Sequence, residues 1–126
     1  MEFMLSEEQR MLQDSVSRFL ESQCSLERVR KAADAEETLA DDVWRGMVEL
    51  GIQGIVIPES HGGVDLGFLE AALVAEALGG AVAPVPFAAT SVMVPVALLT
   101  GGSPAQQDEW LPRIASGATT VAVGVT

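Results

Sequence analysis

The chain has 126 residues, a length that suits one domain, and 48% of them are hydrophobic, ample for a core. Its formal net charge is −11, from 18 acidic and 7 basic side chains, which argues against nucleic acid and anionic membranes as partners because both need basic patches. A single cysteine, Cys24, excludes an internal disulfide and any cysteine-built metal cage.

With no tyrosine and 5% aromatics, the core must be aliphatic. Arg10, Arg18, Arg28, Arg30, Lys31 and Arg45 all precede residue 46, and only Arg113 follows, too few cations to clamp a phosphorylated ligand by ion pairing alone. No apolar run reaches the roughly 18–20 residues of a membrane span, and the N-terminus lacks the basic-then-apolar pattern of a signal peptide. The expected compartment is the cytoplasm.

Ser6-Glu7-Glu8-Gln9 reads as a capping box, with Leu5 as a staple, and Leu12, Val16, Phe19 and Leu20 follow at helical spacing. A helix is predicted over 6–23. Residues 25–37 are charged and weakly periodic, either a helix extension after a break or a solvated link. A second helix is expected over 38–50, opened by Thr38-x-x-Asp41 and stopped by a left-handed Gly51. Ile55-Val56-Ile57, ended by Pro58, is a weak strand candidate.

Asp65 is expected to cap a mostly buried third helix over 67–78, closed by Gly79-Gly80. Pro84 and Pro86 open a fourth segment, 87–99, in which Pro95 should kink the helix or open one hydrogen bond. Ser103-Pro104-Ala105-Gln106 is another capping box, and the helix it starts carries Trp110, Leu111 and Ile114 and ends by Gly117. Residues 119–126, TTVAVGVT, form the best strand candidate. A lone strand cannot satisfy its backbone, so the chain reads as a piece of a larger protein or one subunit of a split one, with an open edge prone to self-association.

The chemical candidates are sparse. His61 is the sole histidine; Glu59 and Asp65 are its local carboxylates, and no further His or Cys could complete a metal site, so a surface corner is the preferred reading. Gly62-Gly63 has no lysine after it and fits no phosphate loop; a tight turn with positive φ explains it better. Nothing near Cys24 lowers its thiol pKa. Asp41-Asp42 and Glu36-Glu37 serve helix ends and solvation. These residues alone assemble no active site.

Four stretches carry a family resemblance: "LSEEQRMLQDSVSRFL", "LGIQGIVIPESHGGVDLGFLEAALVAEALG", "GGSPAQQDEWLPRIASG" and "VAVGVT". In this order they resemble the N-terminal helical domain of flavin-dependent acyl-CoA dehydrogenases. The resemblance covers nearly the whole chain. It implies an all-α fold, an up-and-down helical bundle over 1–117, with 118–126 as the first strand of a middle β-domain. It also implies FAD and an acyl-CoA substrate in a full-length protein about three times this length, in fatty acid or lipid metabolism. Its partners would be an electron-transfer flavoprotein or similar acceptor and further homo- or hetero-oligomeric subunits. In that family a glutamate base takes the α-proton and a β-hydride passes to the flavin, giving a trans-2-enoyl-CoA. No glutamate of this chain matches that base; the stretches bearing it and the main flavin motifs would lie beyond Thr126. By alignment, Val85, Pro86, Ala89, Thr90 and Met93 would wall the acyl pocket, and Val123, Val125 and Thr126 would meet the flavin. The chain alone is expected to retain no FAD and to be inactive. His61 stands where the family usually has a tyrosine or similar residue, which marks it as variable. The alternative reading is a non-catalytic helical subunit that partners a second dehydrogenase-like chain.

Overall fold

The structure is a computed structural model and describes residues 3–36 and 40–126. It is a helical bundle, and among the described residues it has no strand. The first helix, α1, spans Glu7–Gln23. The Gln9 N–H donates to Ser6 Oγ at 3.1 Å and the Ser6 N–H to Gln9 Oε1 at 2.9 Å, so the capping box closes as its sequence requires. Val16 and Leu20 are buried, with Leu12 and Phe19 packed beside them.

The weakly periodic stretch after α1 is a separate helix, α2 (Leu26–Asp34). Cys24 leaves helical geometry at φ −130°, and Ser25 starts afresh by accepting the Arg28 N–H at 3.1 Å. Thr38, the expected cap of the next helix, lies outside the described residues. That helix, α3 (Asp41–Gly46), follows Ala40, whose N–H is held by the Pro84 carbonyl at 3.0 Å. It is shorter than the 38–50 expected. After Met47 the chain tightens into a 3₁₀ turn, Val48–Leu50, which Gly51 ends at φ 71°, the left-handed stop its sequence suggested.

The run 55–57 is no strand. It follows a 3₁₀ turn, Ile52–Gly54, and Ile55 itself is helical at φ −56°, ψ −40°. Successive turns bury Ile52, Ile55 and Ile57 together without any strand. Gln53 Nε2 donates to the Trp44 carbonyl at 2.7 Å inside the core and pins this corner to α3. A third 3₁₀ turn, Glu59–His61, leads to Gly62 at φ 81°.

Asp65 does not cap the next helix. It sits at φ 57° with its N–H on the Ile57 carbonyl at 2.9 Å, and Gly67 is the residue that precedes α4 (Phe68–Gly80). Glu70 closes that end by accepting the Gly67 N–H at 3.0 Å, and its other oxygen takes Gln9 Nε2 at 2.9 Å. This link joins the starts of α1 and α4, while Leu20 and Cys24 meet Ala77 and Ala81 at their far ends. The two helices therefore run parallel, and they form the most extensive helix pair of the bundle.

Pro95 has the effect its position implies, in a specific form. The turn before it widens to a π-helix over Ala88–Met93, with the Val94 N–H reaching back to the Ala89 carbonyl, before α5 (Val94–Gly101) resumes normal pitch. Proline has no N–H, and its ring crowds the carbonyl four residues earlier; the wider turn accommodates both. The last helix, α6 (Pro104–Ala115), has its Ser103–Gln106 capping box closed at 2.8 and 3.2 Å. Leu111 and Ile114 from α6 form a second core cluster with Ile57, while α1, α3, α4 and Phe87 share the first. The strand expected over 119–126 is absent: the segment carries no regular secondary structure and pairs in no sheet. It has no neighbouring strand to bond, so its backbone does not form a ladder.

Candidate functional site

Among the described residues, one feature with ligand-sized space is an apolar wall between α4 and the π segment. α4 is apolar around most of its circumference, so its face turned away from α1 exposes Phe68, Leu69, Ala72 and Ala75. Two adjoining cavities line this face. One, of about 280 Å³, lies between Phe68, Ala72 and Ala75 of α4 and Phe87, Ala88 and Met93 opposite. The larger, of about 590 Å³, continues past Ala75 and Ala88 to α2, where Val29 and Ala32 close it. Both are overwhelmingly hydrocarbon, so they suit an apolar group that is drawn from water.

The acyl-wall residues named from sequence divide between this wall and the core. Val85 lines the larger cavity and Met93 the smaller. Ala89 is half-buried in the π-helix and lines neither cavity, and Val85 lies in the loop before that helix. Pro86 is half-buried, and its carbonyl accepts the Thr90 N–H at 3.0 Å. Thr90 is fully buried and has another partner. Its hydroxyl donates to the Val121 carbonyl at 2.9 Å and accepts the Val121 N–H at 3.2 Å, clamping the C-terminal segment onto the π-helix. Sequence reasoning named Thr90 without this role, because no local pattern announces a contact 31 residues away. It also left out Phe68, Ala72, Ala75 and Ala88; the apolar character of α4, interrupted only by Glu70 and Glu76, was the available signal.

Beyond the clamp, Val123, Val125 and Thr126 are exposed, Val125 at 86%. Their backbone donors and acceptors form no sheet, and the Thr126 hydroxyl adds one more. Such groups are chemically compatible with a polar partner, a flavin edge included.

The other candidates resolve as structure. His61 Nε2 lies 3.1 Å from Asp108 Oδ1, and Ser60 Oγ lies 3.2 Å from Nδ1, so the ring ties the corner to α6. The Ser-His-Asp composition is only nominal: Ser60 precedes His61 directly, and none of the cavities described above is lined by these residues. Cys24 is buried, and burial pushes its thiol pKa up, away from nucleophilic use. Among the described residues no group of three or more His, Cys, Asp or Glu could hold a metal ion, and no helix is long and apolar enough to cross a membrane.

Two surface carboxylates are tuned by the links that assemble the bundle. Hydrogen bonding from Arg28, at 2.7 and 3.1 Å, holds Asp42 below its ordinary range, and the Gln9 bond does the same for Glu70. A carboxyl whose folded pKa is depressed adds stability that is complete above its unfolded pKa and is lost as pH falls through the folded value. Stability is therefore expected to decline below about pH 4, with each exposed group contributing under about 1 kcal/mol. Urea titrations between pH 3 and 7 check this: Asp42→Asn with Glu70→Gln should flatten the acid limb.

The described residues form an all-α domain that presents a hydrocarbon wall at a widened helical turn. The comparisons make the class definite: residues 6–118 match the family model "Acyl-CoA dehydrogenase, N-terminal domain", and the chain belongs to that family. It is 36% identical over 115 residues to acyl-CoA dehydrogenase IpdE2 of Mycolicibacterium smegmatis, covering 90% of this chain and 35% of the relative. It is 33% identical over 115 residues to mitochondrial isovaleryl-CoA dehydrogenase of Pongo abelii, covering 90% and 27%. A chain of the ChsE4–ChsE5 complex from Mycobacterium tuberculosis superposes with a TM-score of 0.88 at 31% identity, over 97% of this chain and 34% of that one. The chain thus spans about a third of the length of the proteins it matches.

Proposed function

We propose that this chain supplies the acyl-binding wall of an FAD-dependent acyl-CoA dehydrogenase, which removes hydrogen across the α,β-bond of an acyl-CoA thioester to give a trans-2-enoyl-CoA. The observation that carries the reading is the apolar wall between α4 and residues 85–93, lined by Phe68, Ala72, Val85, Ala88 and Met93, with Pro86 and Ala89 proposed beside it. These side chains bind and orient hydrocarbon and exclude water; none can move a proton, so the base comes from outside this chain's residues. Thr90 serves the same site indirectly by holding Val121, which aims Val123, Val125 and Thr126 toward a flavin edge. When bound, the flavin supplies the two-electron acceptor. Residues 1–117 act as the helical domain and 118–126 as the lead into a β-domain. An electron-transfer flavoprotein is the acceptor of choice, and the 126 residues alone hold no FAD and turn nothing over.

The native assembly carrying Ala72→Trp is expected to raise KM for its acyl-CoA at least about tenfold while keeping its flavin, because Ala72 is exposed on the smaller cavity and the ring fills space that the acyl group needs. An unchanged KM overturns the assignment. The similarity to a complex of two different chains, ChsE4 with ChsE5, favours a second reading in which this domain belongs to a non-catalytic subunit paired with a dehydrogenase chain. Flavin counted per chain in the native assembly separates the two: one per chain supports the first, one per pair the second.

A further inference from the structure

We infer that the 590 Å³ cavity between α2 and the end of α4 is a second binding compartment, adjoining the acyl wall, for a large apolar group, with Val82 as a specificity-determining rim residue. The inference rests on the acyl-wall reading for what the group is attached to. A cavity of about 150 Å³ holds one benzene ring, so even half of this open space takes a group of about ten carbons or more. A short acyl group would leave most of it wet.

Two residues at this cavity carry costs that packing does not explain. Val82 adopts φ 50°, although a β-branched residue is among the least suited to the left-handed region, and it remains 60% exposed on the cavity wall. A glycine would hold the same turn, with the Val82 N–H on the Gly79 carbonyl at 3.1 Å, without strain. The valine adds an apolar wall where the backbone favours none. Gly79, within α4, faces the same space, and a Cβ there would meet nothing within 4 Å. No neighbour requires a glycine at 79, and glycine weakens a helix; its effect is to keep the cavity open. Ala32, Ala75 and Ala88 continue the small-residue lining.

The test is methyl NMR on the 126-residue chain, titrated with dodecanoate, with adamantane-1-carboxylate and with butyrate. Either large probe is expected to give saturable shifts at Ala32, Ala75 and Val82, at least about tenfold tighter than butyrate. The two large probes distinguish a chain from a ring system. Ala75→Phe, at an exposed wall position that tolerates bulk, should weaken the large probe at least about tenfold. Val82→Gly should raise Tm while weakening the probe, opposite signs that general destabilisation cannot produce. No shifts with either large probe, equal affinity for butyrate, or an unaffected Ala75→Phe variant would overturn the inference. Oxidation of short acyl-CoAs by the native assembly, without large-probe binding here, would leave the dehydrogenase reading standing and remove only this compartment; the converse result would do the reverse.

Discussion

Gly63→Ala is expected to cost at least about 3 kcal/mol and to leave little folded protein at 37 °C. A Cβ built at Gly63 falls 1.9 Å from the Ile57 carbonyl oxygen and 2.4 Å from its carbon, so the backbone itself must move. That oxygen accepts the Asp65 N–H at 2.9 Å, and the Gly63 N–H is held by the Pro58 carbonyl at 3.1 Å. Any shift breaks the knot that buries Ile57 and delivers the chain to α4. The neighbouring Gly62→Ala is the control. Gly62 sits at φ 81° with nothing within 4 Å of its Cβ position, so alanine there meets only left-handed strain of about 1 kcal/mol. Urea unfolding of the two variants checks the contrast, and equal midpoints would show that close approach is not what fixes this corner.

Thr90→Val is expected to cost about 2 kcal/mol and to release the C-terminal segment. The substitution keeps the shape and removes both hydrogen bonds to Val121, stranding a part-buried N–H and carbonyl. Amide exchange at Val121 to Val125 should accelerate at least about tenfold, whereas helix α6 should be protected as before. Thr90→Ser, which retains the hydroxyl, should restore most of the protection. A Val121 amide that exchanges equally in both variants would refute the clamp. In the native assembly the same substitution is expected to loosen flavin, because the segment it frees carries the proposed flavin contacts.

The sequence made the helices legible where their ends are written locally. Ser6 with Gln9, and Ser103 with Gln106, state their capping chemistry within four residues, and both boxes close. Gly51 and Gly62 likewise show their left-handed turns. Asp65 misled for a physical reason: an aspartate before an apolar run is the usual cap signal, but this one tolerates positive φ and was spent on the turn, leaving Glu70 to close α4. The run 55–57 misled because Ile55-Val56-Ile57, ended by Pro58, looks like a short β-branched strand, while the turn at Ile52–Gly54 leads it into the core without a partner strand. At 119–126 the β-branched pattern was real, but a strand exists only with a partner. The site was legible only through the resemblance: Val85 and Met93 reach the cavities, but Thr90 turned out to serve the chain itself, and the cavity's α2 wall came from a stretch too polar to signal a pocket.

The central claim is that this domain walls the acyl site of a flavin-dependent dehydrogenase. The most direct test is anaerobic addition of acyl-CoAs, from four to sixteen carbons, to the native assembly purified with whatever chains accompany this one. The account predicts a yellow protein whose flavin absorbance bleaches with at least one of these thioesters, and bleaching that Ala72→Trp suppresses at the same flavin content. A colourless assembly, or a flavin that no acyl-CoA bleaches, would contradict it.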